Sequence, residues 1–191
     1  MWKKLAEWAQ FETERLILRP FTYQDKDDLH AIMSNKENTT FLHPPIESKE
    51  LCQQLLVEGF MRQPLGIWAI EEKETKRMIG STRLENIQGR QKKAEIGYFL
   101  HRDFWRKGYG TESLESIVWL SFTQLGVGQL VIKTHAENRA SQALAQKLGF
   151  RLEKEYKGSD RYSHKMRAFK DYCLDNRTWI NGKRGDKYDN N

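Results

Sequence analysis

"EIGYFLHRDFWRKGYGTES", Glu95–Ser113, runs from a strand-like segment through a glycine-rich turn into the start of a helix. Glu95–Leu100 carries Ile, Tyr, Phe and Leu in the short pattern of a strand. Beyond it, Arg106 and Lys107 flank Gly108, Gly110 follows, and Leu114, Ile117 and Val118 share one helical face. Backbone N–H groups, the positive end of a helix and two cations therefore converge, which is how proteins bind phosphate. A glycine pair before a helix is also what a bare turn looks like, so the neighbours decide.

Two known phosphate loops fail on spacing. In a P-loop the lysine follows its second glycine, whereas Lys107 precedes Gly108 and no glycine stands five residues earlier. The dinucleotide fingerprint would put a small residue where Ser113 stands, and its acid after the next strand is replaced by Thr134 and His135.

Upstream, Trp2, Leu5, Ala6 and Ala9 suggest a short amphipathic helix packed on its own domain. "ETERLILRPF" reads as a first strand ended by Pro20. Asp25–Ser34 places Leu29, Ile32 and Met33 on one helical face, and Ser48 caps a second helix through Leu51, Leu55 and Phe60. The stretch from Gly66 to Leu100 is an antiparallel meander, "GIWAIEE", "MIGSTRLENI" and "KAEIGYFL", with turns at "KETKR" and "QGRQK". After the glycine loop come a helix ending near Gly126, the strand "QLVIKTH", a helix from Ser141 to Gly149, and the strands "FRLEKEY" and "MRAFKDYCL". "NGKRGDKYDNN" then reads as a frayed polar tail.

Composition narrows the function. The chain has 191 residues, enough for one domain with a real core, and a formal charge of +6 that favours anionic partners. The charges are interspersed, and no RNP-like aromatic strand is present, so direct nucleic-acid readout is not expected. Two cysteines without a CxxC, and no histidine cluster, point away from zinc and towards a reduced cytoplasm. No signal-peptide core or long apolar run suggests export or a membrane span.

With "HAENRASQALAQKLGFR" (135–151) added, the pattern resembles the Gcn5-related N-acetyltransferases (GNAT), in particular the branch that acetylates N-termini of ribosomal proteins. The matching pieces are the strand Tyr98–Leu100, Gly108 and Gly110 opening a helix, Asn138 after the next strand, and Leu148–Phe150 closing the following helix. Trp105 departs from the wider pattern, which has Gln or Arg there; Arg106 is the substitute cation. The resemblance implies an α+β (mixed α/β) fold with a mostly antiparallel twisted sheet of about seven strands, splayed between the fourth and fifth and flanked by helices. Residues 1–180 would form a single acetyltransferase domain and 181–191 the tail.

It also implies acetyl-CoA as co-substrate and no metal. The pyrophosphate would lie on Arg106, Lys107, Gly108, Tyr109, Gly110 and Thr111, and the pantetheine arm would add as a strand along Tyr98, Phe99 and Leu100. Asn138 would bond the pantetheine or cap its helix. Glu95 is the candidate base, or else an ordinary strand carboxylate paired with Lys or Arg; Ser141 is the candidate acid for the thiolate, or else an N-cap. Tyr156 is a reserve acid, His135 and His164 are left as structural, and the loop Asn38–Pro45 with Phe41 and His43 would line the acceptor side. An α-amino acceptor is roughly a quarter neutral at about pH 7.5, whereas a lysine is neutral only about one part in a thousand, so an N-terminus needs the weaker base. A small-molecule amine or lysine, a CoA-binding sensor without turnover, an RNA- or ribosome-associated adaptor, and a homodimer all stay open.

Overall fold

The computed structural model describes residues 1–89, 92–160 and 162–188, with the side chains of 183–188 left aside; Arg90 and Gln91 of the "QGRQK" turn lie outside it. Helix α1 (Trp2–Glu7) precedes the short strand β1 (Phe11–Glu12) and β2 (Leu16–Arg19). Helices α2 (Lys26–Met33), α3 (Lys36–Thr39) and α4 (Lys49–Leu55) follow, α4 running into a π-helical turn at Leu56–Met61. The meander is β3 (Ile67–Glu72), β4 (Met78–Gln88) and β5 (Lys93–Leu100). The second half contains α5 (Tyr109–Thr123), β6 (Gln129–His135), α6 (Arg139–Lys147), β7 (Arg151–Ser159), β8 (Met166–Asp175) and α7 (Asn176–Tyr188).

These strands form one eight-stranded sheet in the order β1-β2-β3-β4-β5-β6-β8-β7. The eighth strand arises because "ETERLILRPF" begins beyond a tight turn: Phe11 and Glu12 fold back on Leu18 and Ile17, closed by the Thr13 N–H donating to the Leu16 carbonyl at 2.9 Å. Every pairing is antiparallel except β5 with β6. That parallel ladder covers only Lys93–Glu95 against Gln129–Val131. Beyond it β5 stays with β4 as far as Leu100, while β6 follows β8 to His135, so the sheet opens as a fork from Glu95 onwards. Gly80 is required for β5 to stay with β4, since a Cβ there would overlap the Phe99 carbonyl.

The two faces of the sheet carry separate cores. On one, Leu114, Ile117 and Val118 of α5 and Ala145 of α6 pack with Leu16, Trp68, Ile96, Leu130 and Tyr172. Leu5 is fully buried in the same core, which docks α1 on its own domain although Trp2 stays exposed. On the other, Leu29, Ile32 and Met33 of α2 meet Cys52, Leu56 and Phe60 under Ala69 and Met78.

Three local expectations shift. Ser48 caps α4 as expected, but Leu51 is 60% exposed and the buried face is Cys52, Leu56 and Phe60, whose four-residue spacing matches the wider π-turn. Helix α6 begins at Arg139 with Asn138 as its cap, so Ser141 lies inside its first turn. The stretch from residue 181 is helical as far as Tyr188, as the end of α7, while 189–191 lie outside the described residues.

Candidate active site

The glycine loop is built to present amides. Arg106 (φ 57°) and Gly108 (φ 86°) both adopt left-handed backbone, and Gly108 is the N-cap of α5. Alternating handedness turns successive N–H groups to one side. Among the described residues, none of the main-chain N–H groups from Arg106 to Thr111 donates to a protein acceptor; the first that does is Glu112, to the Gly108 carbonyl at 3.0 Å. Gly110 lets α6 approach, its missing Cβ lying 3.3 Å from Leu144 Cδ2. The Trp105 indole N–H donates to the Leu100 carbonyl at 2.8 Å, tying the loop to the end of β5. Tyr109 brings only its amide to this surface, because its ring packs under the Arg15 guanidinium, 4.3 Å from the ring centroid.

Among the described residues, the β5 edge facing the fork has no strand partner from Ile96 to Leu100, so Tyr98, Phe99 and Leu100 stand on a free edge beside those amides. The Tyr98 phenol crosses the gap and donates to Ser141 Oγ at 2.8 Å. Burial pushes the Tyr98 hydroxyl above its ordinary value, which outweighs the opposite effect of Ser141, so it stays protonated. Since Ser141 Oγ accepts this bond, its own O–H is free to donate elsewhere. The Asn138 carboxamide oxygen accepts from the Ser141 N–H at 3.1 Å, so Asn138 caps α6 and leaves its amide hydrogens available, two roles the sequence posed as alternatives.

Glu95 lies at the apex of the fork, opposite Glu85 on β4 and Val131 on β6. It accepts from Lys133 Nζ at 2.7 Å, the partner that an ordinary strand carboxylate would have. That hydrogen bond, more than any other influence, raises the Lys133 ammonium above its usual range. Tyr156, on β7 three strands along the sheet, has its phenol raised first by burial and then by Asp171, and stacks on Phe169 at 5.8 Å.

His135, set aside as structural on sequence grounds, lies at the open end of β6 in an aromatic cluster. Its ring is 5.6 Å from Phe41 and 4.7 Å from Phe169, and Nε2 is 3.5 Å from Asp160 Oδ2. His43 meets Tyr162 at 5.8 Å, so the loop Asn38–Pro45 closes against the β7–β8 hairpin as well as against β6. His164 takes a left-handed turn conformation in that hairpin (φ 54°). The side-chain bond of Tyr98 and the placement of His135 were missed by sequence reasoning, while the lysine pairing posed for Glu95 falls on Lys133.

Two concave regions, one lined by Arg151, Glu153 and Cys173 and one by Lys92, Gly128 and Asn176, include none of these residues. Among the described residues, no group of three or more His, Cys, Asp or Glu could hold a metal ion, and no helix is long and apolar enough to cross a membrane.

A forked sheet with a glycine loop at its mouth is the architecture of an acetyltransferase, and comparison agrees. Residues 15–151 match the acetyltransferase (GNAT) domain family. The N-acetyltransferase YoaA of Bacillus subtilis, itself uncharacterised, is 33% identical over 148 residues, 74% of this chain and 82% of its own length. A GCN5-related N-acetyltransferase from Brucella melitensis superposes with a TM-score of 0.78 at 22% identity, covering 90% of this chain and 80% of that one. A candidate ribosomal-protein-serine acetyltransferase from Vibrio cholerae does so with a TM-score of 0.71 at 22% identity, over 87% and 97%. The chain belongs to the GNAT family and is an acetyl-CoA-dependent N-acetyltransferase.

Proposed function

We propose that the chain, with residues 1–180 as its catalytic domain, transfers acetyl from acetyl-CoA directly to a protein N-terminal α-amino group in the cytoplasm, ribosomal proteins being the first candidates. The observation that carries this reading is the fork. A free strand edge (96–100), a row of unpartnered amides (106–111) and a paired Tyr98–Ser141 hydroxyl system border one opening in the sheet. Acetyl-CoA supplies an activated acyl group on a thiol leaving group. The amides from Arg106 to Thr111 fit its pyrophosphate, with Arg106 and Lys107 adding charge. The edge of Tyr98–Leu100 fits the amides of the pantetheine arm and can donate to the oxyanion that develops at the acetyl carbonyl. The free amide hydrogens of Asn138 fit a pantetheine carbonyl.

Attack forms the bond between the amine nitrogen and the acetyl carbon, and breaks the carbon–sulfur bond. The departing sulfur takes the Ser141 proton, Tyr98 replaces it through the bond it already makes, and the second proton shed by the attacking nitrogen returns to this hydroxyl pair. Glu95 is the base for the ammonium, directly or through a water. Its carboxylate already accepts from Lys133 Nζ at 2.7 Å. An α-amino group with pKa near 8 needs less help to lose its proton than a lysine near 10.4, which favours the N-terminal acceptor for a lone carboxylate base. The resemblance to the V. cholerae protein supports the ribosomal choice. The loop carrying Phe41 and His43, with His135 and Phe169, forms the wall an acceptor would meet.

The test is a mass-spectrometric screen with acetyl-CoA over N-terminal peptides, ribosomal sequences included, and over lysine peptides and small amines. Acetylation of α-amino groups is expected, with kcat/KM rising with pH up to about 8. Transfer only to small amines or lysines would overturn the acceptor; CoA binding without turnover of any amine would make the protein a sensor.

A further inference from the structure

The glycine loop is held in place by a residue far from it in sequence. Arg15, in the turn between β1 and β2, donates through Nε to Glu112 Oε2 at 2.7 Å and through Nη1 to the Lys107 carbonyl at 2.9 Å. Its plane covers Tyr109, and its Nη2 stands 3.0 Å from where a Cβ on Gly108 would be. The other Glu112 oxygen accepts from the Arg15 N–H at 2.8 Å and from Thr13 Oγ1 at 2.6 Å. The turn between β1 and β2 thus holds one carboxylate in the first turn of α5 through Thr13 and Arg15.

That carboxylate poses a problem for the donor site. A glutamate in the first turn favours the positive helix end and competes there with any incoming phosphate. Burial by itself would raise the Glu112 carboxyl, yet Thr13, the Arg15 amide and the Arg15 guanidinium together hold it below the ordinary range, so it stays charged. The Lys107 carbonyl matters for a second reason. In a trans peptide the C=O and the following N–H point in opposite directions, so fixing this carbonyl towards Arg15 turns the Gly108 N–H outwards.

Resting on the donor-site reading above, we propose that Arg15 is a positioning residue for acetyl-CoA: it neutralises Glu112 beside the pyrophosphate loop and pins the Lys107 carbonyl inward so that the loop amides face the phosphates. Arg is suited to this because its planar fork serves a carboxylate and a carbonyl at once, which a lysine ammonium does with far less order.

The experiment titrates wild type, Arg15→Ala, Arg15→Lys, Glu112→Gln and the double variant Arg15→Ala/Glu112→Gln with CoA by calorimetry. Hydrogen exchange is followed on the peptide spanning 105–112. In the wild type, CoA should protect that peptide; absence of protection overturns the donor-site reading itself, and the proposal with it. With protection present, Arg15→Ala should weaken CoA about tenfold and Arg15→Lys by an intermediate factor, as expected for charge-assisted bonds. Removing the stranded carboxylate should rescue affinity, so Arg15→Ala on the Glu112→Gln background should cost less than about threefold. A purely structural tether predicts no such rescue. Equal losses on both backgrounds, or wild-type affinity in Arg15→Ala, would overturn the proposal and leave the donor site standing. Should Arg15→Ala fail to fold, Arg15→Lys with and without Glu112→Gln decides by the same comparison.

Discussion

Gly108 is the position at which one methyl group separates the proposed phosphate loop from an ordinary turn. Its φ of 86° is left-handed, a conformation that costs an alanine about 1–2 kcal/mol. The added Cβ would stand 3.0 Å from Arg15 Nη2, closer than van der Waals contact, so Arg15 must also shift from Glu112 and the Lys107 carbonyl. Gly108→Ala is therefore expected to destabilise the fold by about 1–2 kcal/mol, or roughly 2–8 °C in Tm for a chain of this size. CoA affinity should fall further, by about tenfold or more, because misdirecting even one amide removes a hydrogen bond to a charged group. Gly110→Ala is the control. Gly110 lies in the first turn of α5 without positive φ, and its Cβ would meet only the tip of Leu144, so stability should hold or rise by up to ~1 kcal/mol. Differential scanning calorimetry and CoA titration read both quantities. If Gly108→Ala melts with the wild type and binds CoA equally well, the loop does not need its left-handed residue and the amide row is not the phosphate site.

Tyr98→Phe removes the donor to Ser141 and little else, so kcat should fall about tenfold, less than the hundredfold or more of a directly positioned acid because the phenol acts through Ser141, with KM for acetyl-CoA nearly constant. An unchanged kcat would take the phenol out of the proton path. Glu95→Gln should slow turnover by about a hundredfold with CoA affinity retained; retained turnover would leave Glu95 as no more than the partner of Lys133. Arg19 holds the buried Asp25 at 2.7 Å and Glu71 at 2.6 Å, so Arg19→Ala should cost about 3–5 kcal/mol in urea unfolding by stranding both carboxylates. A loss below about 1 kcal/mol would show that they find other partners. Glu112 is held below its ordinary value in the folded chain, so its contribution is complete above about pH 4.3 and is lost as pH falls through the folded-state value. Glu112→Gln should therefore lose less stability than wild type between about pH 5 and pH 3, and parallel acid-unfolding curves would refute this.

Much of the fold follows from local rules that leave a mark on the sequence. The β5 and β6 segments, the Ser48 cap and the glycine ends of α5 and α6 depend on residues within a turn or two of one another. The split of the first strand was invisible, because the Thr13 turn carries no glycine or proline. The start of α6 was misplaced because Asn138 and Ser141 both cap well, and the carboxamide won the contact.

The donor half of the site was legible for the same reason. Strand edge, loop amides and helix start are consecutive in the chain, so the sequence by itself determined that they lie side by side, as the proposed donor site requires. The rest depends on side chains that meet across the sheet: Tyr98 with Ser141, Lys133 with Glu95, His135 with Phe41, and Arg15 with Glu112. Register and strand order decide such meetings, and single-residue periodicity carries no information about either. Tertiary structure alone decided which carboxylate is paired, which hydroxyls meet, and which arginine packs against the loop. The physical reason is the fork itself: β5 follows β4 and β6 follows β8, and only their parting brings these side chains round one opening.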